Sequence, residues 1–180
     1  EPGSTIKPIT AAAALAAGAV KPTTQFNTSP GWIPNGRWRT TDTHNYGVLD
    51  VTGIIRKSSN VGAAKLAALV PDREYYEFLR KFGYGSKTGS GFPGEAAGSL
   101  PPPDRWCGTC KQTMSYGYGL SASLFQMVQS YTAFANDGYV VPATMLKSHE
   151  VVTGQRVFSP QTAAAVRKML EMAAGPGGTG

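Results

Sequence analysis

The sequence has little of what announces a metal centre or a disulfide scaffold. Among 180 residues there are two cysteines and two histidines. One pair of cysteines cannot staple a fold of this length, which excludes a disulfide-rich scaffold. His44 and His149 are lone histidines without a partner at ligand spacing, so both read as ordinary surface residues in loops. Charge is sparse too, at 16% of residues. Lys and Arg outnumber Asp and Glu by 17 to 11, a net charge of +6, yet they are scattered. No basic run interleaved with aromatics occurs, so no nucleic-acid partner is expected. No apolar stretch reaches the roughly 20 residues of a membrane-spanning helix. The nearest candidate, Ala11–Val20, is short and Ala-rich, and no signal-peptide pattern is seen.

What is present fits a folded domain or part of one. Hydrophobic residues make up 41%, enough for a packed core. The 22 glycines and 13 prolines predict many turns between short elements. Helices are expected over Thr5–Ala17, stopped by Gly18, over Leu49–Lys57, over Val61–Val70 with Asn60 as its cap, and over Asp72–Phe82. A long loop region follows, from Gly83 to Met114. A further helix, capped by Ser121 or Ser123, runs to Asn136 with Leu124, Met127, Val128 and Tyr131 inward. Ser159-Pro160 opens a last one with Val166, Met169 and Leu170 apolar. Tyr139–Val141 and Val151-Val152 are the only strand-like runs. These helices lack a sheet to cover, which implies strands outside the 180 residues.

Two short patterns carry chemistry. Ser4-Thr5-Ile6-Lys7 sets a hydroxyl and an amine three apart, neighbours on one face of a helix. A lysine whose pKa is lowered by burial can accept the serine proton. Ser58-Ser59-Asn60 lies in a turn between two expected helices, where a hydroxyl and an amide can aim at one spot. Each pattern also has a bland reading, a solvated helix start and a helix cap.

Together the patterns match part of the Ser-x-x-Lys, Ser-x-Asn and Lys-Thr-Gly set of penicillin-binding proteins and serine β-lactamases. The chain resembles class B penicillin-binding proteins, most of all the division-specific (septal) transpeptidases. The resemblance is carried by Glu1–Pro8, Lys57–Gly62, Gly91–Glu95, Tyr116–Ser121 and Ala133–Gly138, in the same order. It implies an α/β transpeptidase fold of the penicillin-binding protein and serine β-lactamase type. Residues 1–180 would be a partial domain, mainly its helical part, with flanking strands and the third motif absent. Lys87-Thr88-Gly89 spells that third motif, but its neighbours read as loop, not strand, so it is not taken for the active one.

The resemblance implies that Ser4 is the acylated nucleophile, Lys7 its general base and Ser58 a proton relay, with Asn60 and Tyr118 contacting substrate. A packed turn tyrosine is the equal alternative for Tyr118. It implies a peptidoglycan D,D-transpeptidase that needs no metal or organic cofactor. Its implied partners are peptidoglycan stem peptides, β-lactams and membrane proteins of the division machinery. Its implied place is the periplasmic face of the cytoplasmic membrane, anchored by an N-terminal segment outside this chain. A β-lactam sensor, a D,D-carboxypeptidase and a class D β-lactamase are the alternatives. Cys107-Gly-Thr-Cys110 departs from the family pattern. A redox motif belongs at a strand-to-helix junction and a zinc site needs two more ligands, so a local disulfide or two inert thiols is the expectation.

Overall fold

The computed structural model describes residues 1–147, 152 and 154–180. His149 and Val151 lie outside the described residues. A 3-10 turn, Gly3–Ile6, runs directly into helix α1, Lys7–Ala16, with Pro8 in its first turn, where no amide donor is needed. Strands β1 (Gln25–Asn27) and β4 (Val48–Asp50) form one antiparallel ribbon. Strands β2 (Trp32–Asn35) and β3 (Trp38–Thr41) form another. The expected helix from Leu49 begins only at Val51, because Leu49 and Asp50 pair in β4. Asp50 then caps helix α2, Val51–Arg56, by accepting from Gly53 N.

Helix α3, Asn60–Ala68, is capped by Ser59, not by Asn60 as expected. Ser59 keeps an extended backbone and its hydroxyl accepts from Gly62 N, while Asn60 is already the first helical residue. Helix α4, Asp72–Lys81, buries Tyr75 and Leu79. The long loop expected from Gly83 to Met114 contains a 3-10 turn, Pro103–Arg105, and a short helix α5, Cys110–Met114. Helix α6, Leu124–Ala135, opens on a capping box between Ser123 and Gln126. Strands β5 (Tyr139–Val140) and β6 (Gln155–Arg156) pair, and helix α7 spans Pro160–Ala174 behind the Ser159 cap. Val152 lies in no strand.

Helix α1 is the centre of the core. Ile6, Ile9, Ala11, Ala12 and Ala14 have no exposed surface, and α1 packs against α3, α2 and α7. Its alanines bring the neighbouring helices close without side-chain entropy loss. Among the described residues the strands form only three two-stranded ribbons, so the chain is the helical portion of its fold. No described helix is long and apolar enough to cross a membrane.

Helix α6 packs Tyr131 against the core as expected but turns Leu124 and Val128 outward. Leu124 is 74% and Val128 61% exposed, whereas Gln126, Gln129 and Ser130 are buried. The buried amides are occupied. Gln126 Nε2 donates to the carbonyls of Gly83, Ser86 and Ala97, and Gln129 Oε1 accepts from Ala143 N. Loop carbonyls buried without partners cost about 1–3 kcal/mol each. Gly83 O also accepts from Ser86 N, so Gln126 chiefly serves the carbonyls of Ser86 and Ala97, which offsets the burial of one more leucine.

Candidate active site

The turn Gly3–Ile6 leaves Ser4 exposed at the surface with Lys7 behind it, 2% exposed. Lys7 Nζ donates to Ser4 Oγ at 3.0 Å, to Ser58 Oγ at 2.9 Å and to Ser58 O at 2.5 Å. One amine thus joins the hydroxyl of Ser4, three residues away, to that of Ser58, 51 residues away. Burial strips water from the Lys7 ammonium and lowers its pKa, while the Asp42 carboxylate pulls the other way. Desolvation wins, and the pKa falls to about 8. At pH 7 about one Lys7 in ten is then neutral, against fewer than about one in a thousand for an ordinary lysine.

The Ser58 turn is built against local preference. α2 ends in a Schellman arrangement: Ser59 N donates to Ile54 O at 2.9 Å and Ser58 N to Ile55 O at 3.1 Å. The residue at the left-handed position of that motif is usually glycine. Here it is Ser58, at φ +54°. A side chain there costs about 1 kcal/mol. Glycine would remove the cost and the hydroxyl with it. The backbone turn is what aims both the carbonyl and Oγ of Ser58 at Lys7.

Sequence reasoning did not find Asp42, just after β3. Its Oδ1 accepts from Asn60 N at 2.5 Å and Val61 N at 3.0 Å, and its Oδ2 accepts from Ser59 Oγ at 2.6 Å. It places a carboxylate at the positive end of α3 and holds the residues after Ser58. Asp42→Asn keeps the shape and removes the charge. It is expected to lower stability by about 1–2 kcal/mol, read as the denaturation midpoint. With the negative charge gone, the Lys7 pKa drops further, so the pH at which acylation is half-maximal moves down. A midpoint within about 0.3 kcal/mol of the parent would mean the carboxylate braces nothing.

Two more contacts frame Ser4. Gly3 N donates to Gly117 O at 3.0 Å. Gly117 has φ +96°, and a Cβ there would lie 2.0 Å from Gly3 O, so no other residue fits beside the Ser4 turn. Tyr131 Oη donates to Thr5 O at 2.8 Å, which pins α6 to the same turn. Ser4, Lys7, Ser58 and Tyr131 line a cleft of about 310 Å³ together with Thr179 and Gly180.

The other expected site residues are placed differently. Asn60 does not line that cleft; its Nδ2 donates to Thr41 O at 2.8 Å and braces the β2–β3 hairpin. Tyr118 is half-exposed on the turn after Gly117 and meets the Tyr116 ring at 6.0 Å, also outside the cleft lining. It is therefore not the packed turn tyrosine of the alternative reading. Lys87-Thr88-Gly89 lies in loop, where Thr88 N and Oγ1 donate to Glu95 Oε1 at 2.8 and 2.6 Å. His44 is exposed.

Cys107 and Cys110 form a disulfide, with Cα atoms 5.1 Å apart, at the start of α5 and away from the Ser4 cleft. Replacing both by serine should leave acylation within twofold of the parent. The four-residue loop predicts a stability loss of about 2 kcal/mol in the chain-entropy picture, checked by thermal melting. A drop in acylation of tenfold or more would give the pair a role in the site.

The penicillin-binding protein transpeptidase domain profile matches residues 1–180. The probable peptidoglycan D,D-transpeptidase PenA of Neisseria flavescens is 45% identical over 180 residues, covering all of this chain and 44% of that protein. The peptidoglycan D,D-transpeptidase FtsI of Escherichia coli K12 is 37% identical over 180 residues, covering all of this chain and 30% of that protein. The chain thus spans less than half the length of these relatives. The solved transpeptidase domain of Burkholderia pseudomallei penicillin-binding protein 3 superposes with a TM-score of 0.96 at 45% identity, over 99% of this chain and 55% of that one. The chain belongs to the penicillin-binding protein transpeptidase domain family.

Proposed function

We propose that these residues form the acylating centre of a peptidoglycan D,D-transpeptidase for septal wall synthesis. They would be the helical part of a domain whose sheet and third motif lie in flanking sequence. The observation that carries the reading is the single buried amine hydrogen-bonded to both the exposed Ser4 hydroxyl and the Ser58 hydroxyl.

Neutral Lys7 takes the Ser4 proton as Oγ adds to the carbonyl between two D-alanines of a stem peptide. The lysine is within hydrogen-bond reach, as a general base must be. The tetrahedral oxygen is held by the Ser4 N–H in the first turn of the helix, where backbone donors lack intrahelical partners. Ser58 Oγ, bonded to Lys7, hands a proton to the nitrogen of the departing D-alanine as the C–N bond breaks. The amine of a second stem peptide then attacks the ester and returns Ser4. A β-lactam acylates the same oxygen.

By resemblance Asn60 and Tyr118 meet the stem peptide, which for Asn60 means presenting its amide while attached at Thr41. Division-machinery proteins are the proposed partners. A membrane-anchored position on the periplasmic face is the proposed location.

The test is turnover of a thioester analogue of the stem peptide with a D-amino acid acceptor, in the protein extended on both sides of residues 1–180. Transfer to the acceptor supports a transpeptidase. Hydrolysis alone would make it a carboxypeptidase, and rapid release of hydrolysed penicillin a β-lactamase.

A further inference from the structure

After α7 the chain does not leave the site. It folds back along it. Thr179 N and Gly180 N both donate to Ala173 O at 3.0 Å, and Gly178 N donates to Gly175 O at 2.9 Å. Four of these six residues are glycine. Gly178 has a steric reason: a Cβ there would lie 1.9 Å from Ala173 O, a backbone atom that no rotamer change can move. Gly177 has φ +74° and would set a Cβ 2.7 Å from Arg56 Nη2. The fold-back makes Thr179 and Gly180 part of the lining of the cleft that Ser4 and Lys7 also line.

Two cations hold this segment. Arg56 Nη2 donates to Pro176 O at 2.6 Å, and Lys57 Nζ donates to Gly177 O at 2.9 Å. Among the described residues neither has a carboxylate partner; the ion pairs there are Lys111–Asp72 and Arg167–Asp137. Their charge is spent on backbone carbonyls, in bonds stronger than neutral ones. Arg56 ends α2 and Lys57 caps it, so these are the two residues directly before Ser58.

We propose that Gly175–Gly180 is a strap that fixes the part of the Ser4 cleft lining formed by Thr179 and Gly180, and that Arg56 and Lys57 are positioning residues that lock it to the Ser58 turn. The inference rests on the acyl-transfer reading above. The same two side chains hold the wall and terminate the helix that sets Ser58 at its left-handed angle. A loosened strap therefore moves both the surface that the acyl donor rests on and the hydroxyl bonded to Lys7. A shift of about 1 Å in such a constellation costs on the order of a hundredfold in rate.

The experiment is acylation by a fluorescent penicillin in the protein extended on both sides, with the rate constant of the chemical step resolved from the dissociation constant of the initial complex. Arg56→Ala and Gly178→Ala should each slow the chemical step at least tenfold while initial binding stays within threefold. Arg56→Lys, which retains one donor to Pro176 O, should recover most of the rate. Chemical steps within twofold of the parent in both alanine variants would overturn the strap. So would equal loss of binding and rate together with a collapsed melting transition, or Arg56→Lys behaving as Arg56→Ala. A parent that does not acylate at all would overturn the underlying reading and the strap with it, an outcome distinct from an acylating parent with indifferent variants.

Discussion

Ser4→Ala is expected to abolish covalent reaction with a penicillin, a fall of at least about 10⁴-fold over the time course of the parent. The hydroxyl is the exposed member of the Lys7 hydrogen-bond set, and the geometry offers no substitute. Ser58 Oγ is bonded to the same amine, but its residue sits at φ +54° with its carbonyl also tied to Lys7. The second hydroxyl lacks the turn of backbone donors that Ser4 has at the head of α1. The folded state should be untouched, because Ser4 is exposed and among the described residues its hydroxyl's only partner is Lys7. An alanine variant that still acylates at a tenth of the parent rate would move the nucleophile elsewhere.

Lys7→Ala is expected to slow acylation by about 10³-fold, the middle of the range for loss of a positioned general base. The parent's pH profile tests the same residue without a mutation. The reacting form is neutral Lys7, so the rate should rise with pH and level off above about 8. Below that pH it should fall tenfold per unit, since each unit leaves about a tenth as much of the base neutral. The depressed pKa has a physical cause that can be checked independently. Lys7 is buried, and Asp42 alone opposes the shift. Asp42→Asn should therefore carry the whole profile to lower pH. A flat profile between pH 6 and 9 would remove Lys7 from the proton transfer.

How much of this was legible depends on the distance over which each feature acts. Ser4 and Lys7 are three residues apart at a helix start, so sequence spacing alone brought them together. The caps at Ser123 and Ser159 are equally local, and both helices begin where those residues say. Ser58 was found as a motif but not as a conformation. Its left-handed backbone breaks the rule that such a position takes glycine, and only the need for a hydroxyl explains the exception. Asp42 was missed because nothing within three residues of it shows a purpose; its partners Ser59, Asn60 and Val61 lie 17 to 19 residues away. Tyr131 was read as inward and does pack against the core, but its hydroxyl bond to Thr5 O, 126 residues away, was not readable.

Helix α6 shows the limit most plainly. Periodicity assigns apolar side chains to the interior, but Gln126 and Gln129 are inside because loop backbone needs partners there. Leu124 and Val128 face outward. The need for hydrogen bonds in an irregular loop does not appear in a hydrophobic pattern. Asn60 and Tyr118 belong to the same class: their place in a motif was readable, while the contact at Thr41 and the half-exposed turn were not.

The most direct test of the central claim is to locate the bound drug. The protein extended on both sides of residues 1–180 would be incubated with a penicillin, digested, and its fragments read by mass spectrometry. The account predicts one drug mass per chain, carried on Ser4 and absent from the Ser4→Ala variant. A drug mass found on any other residue, or none on a protein that melts cooperatively, would contradict it.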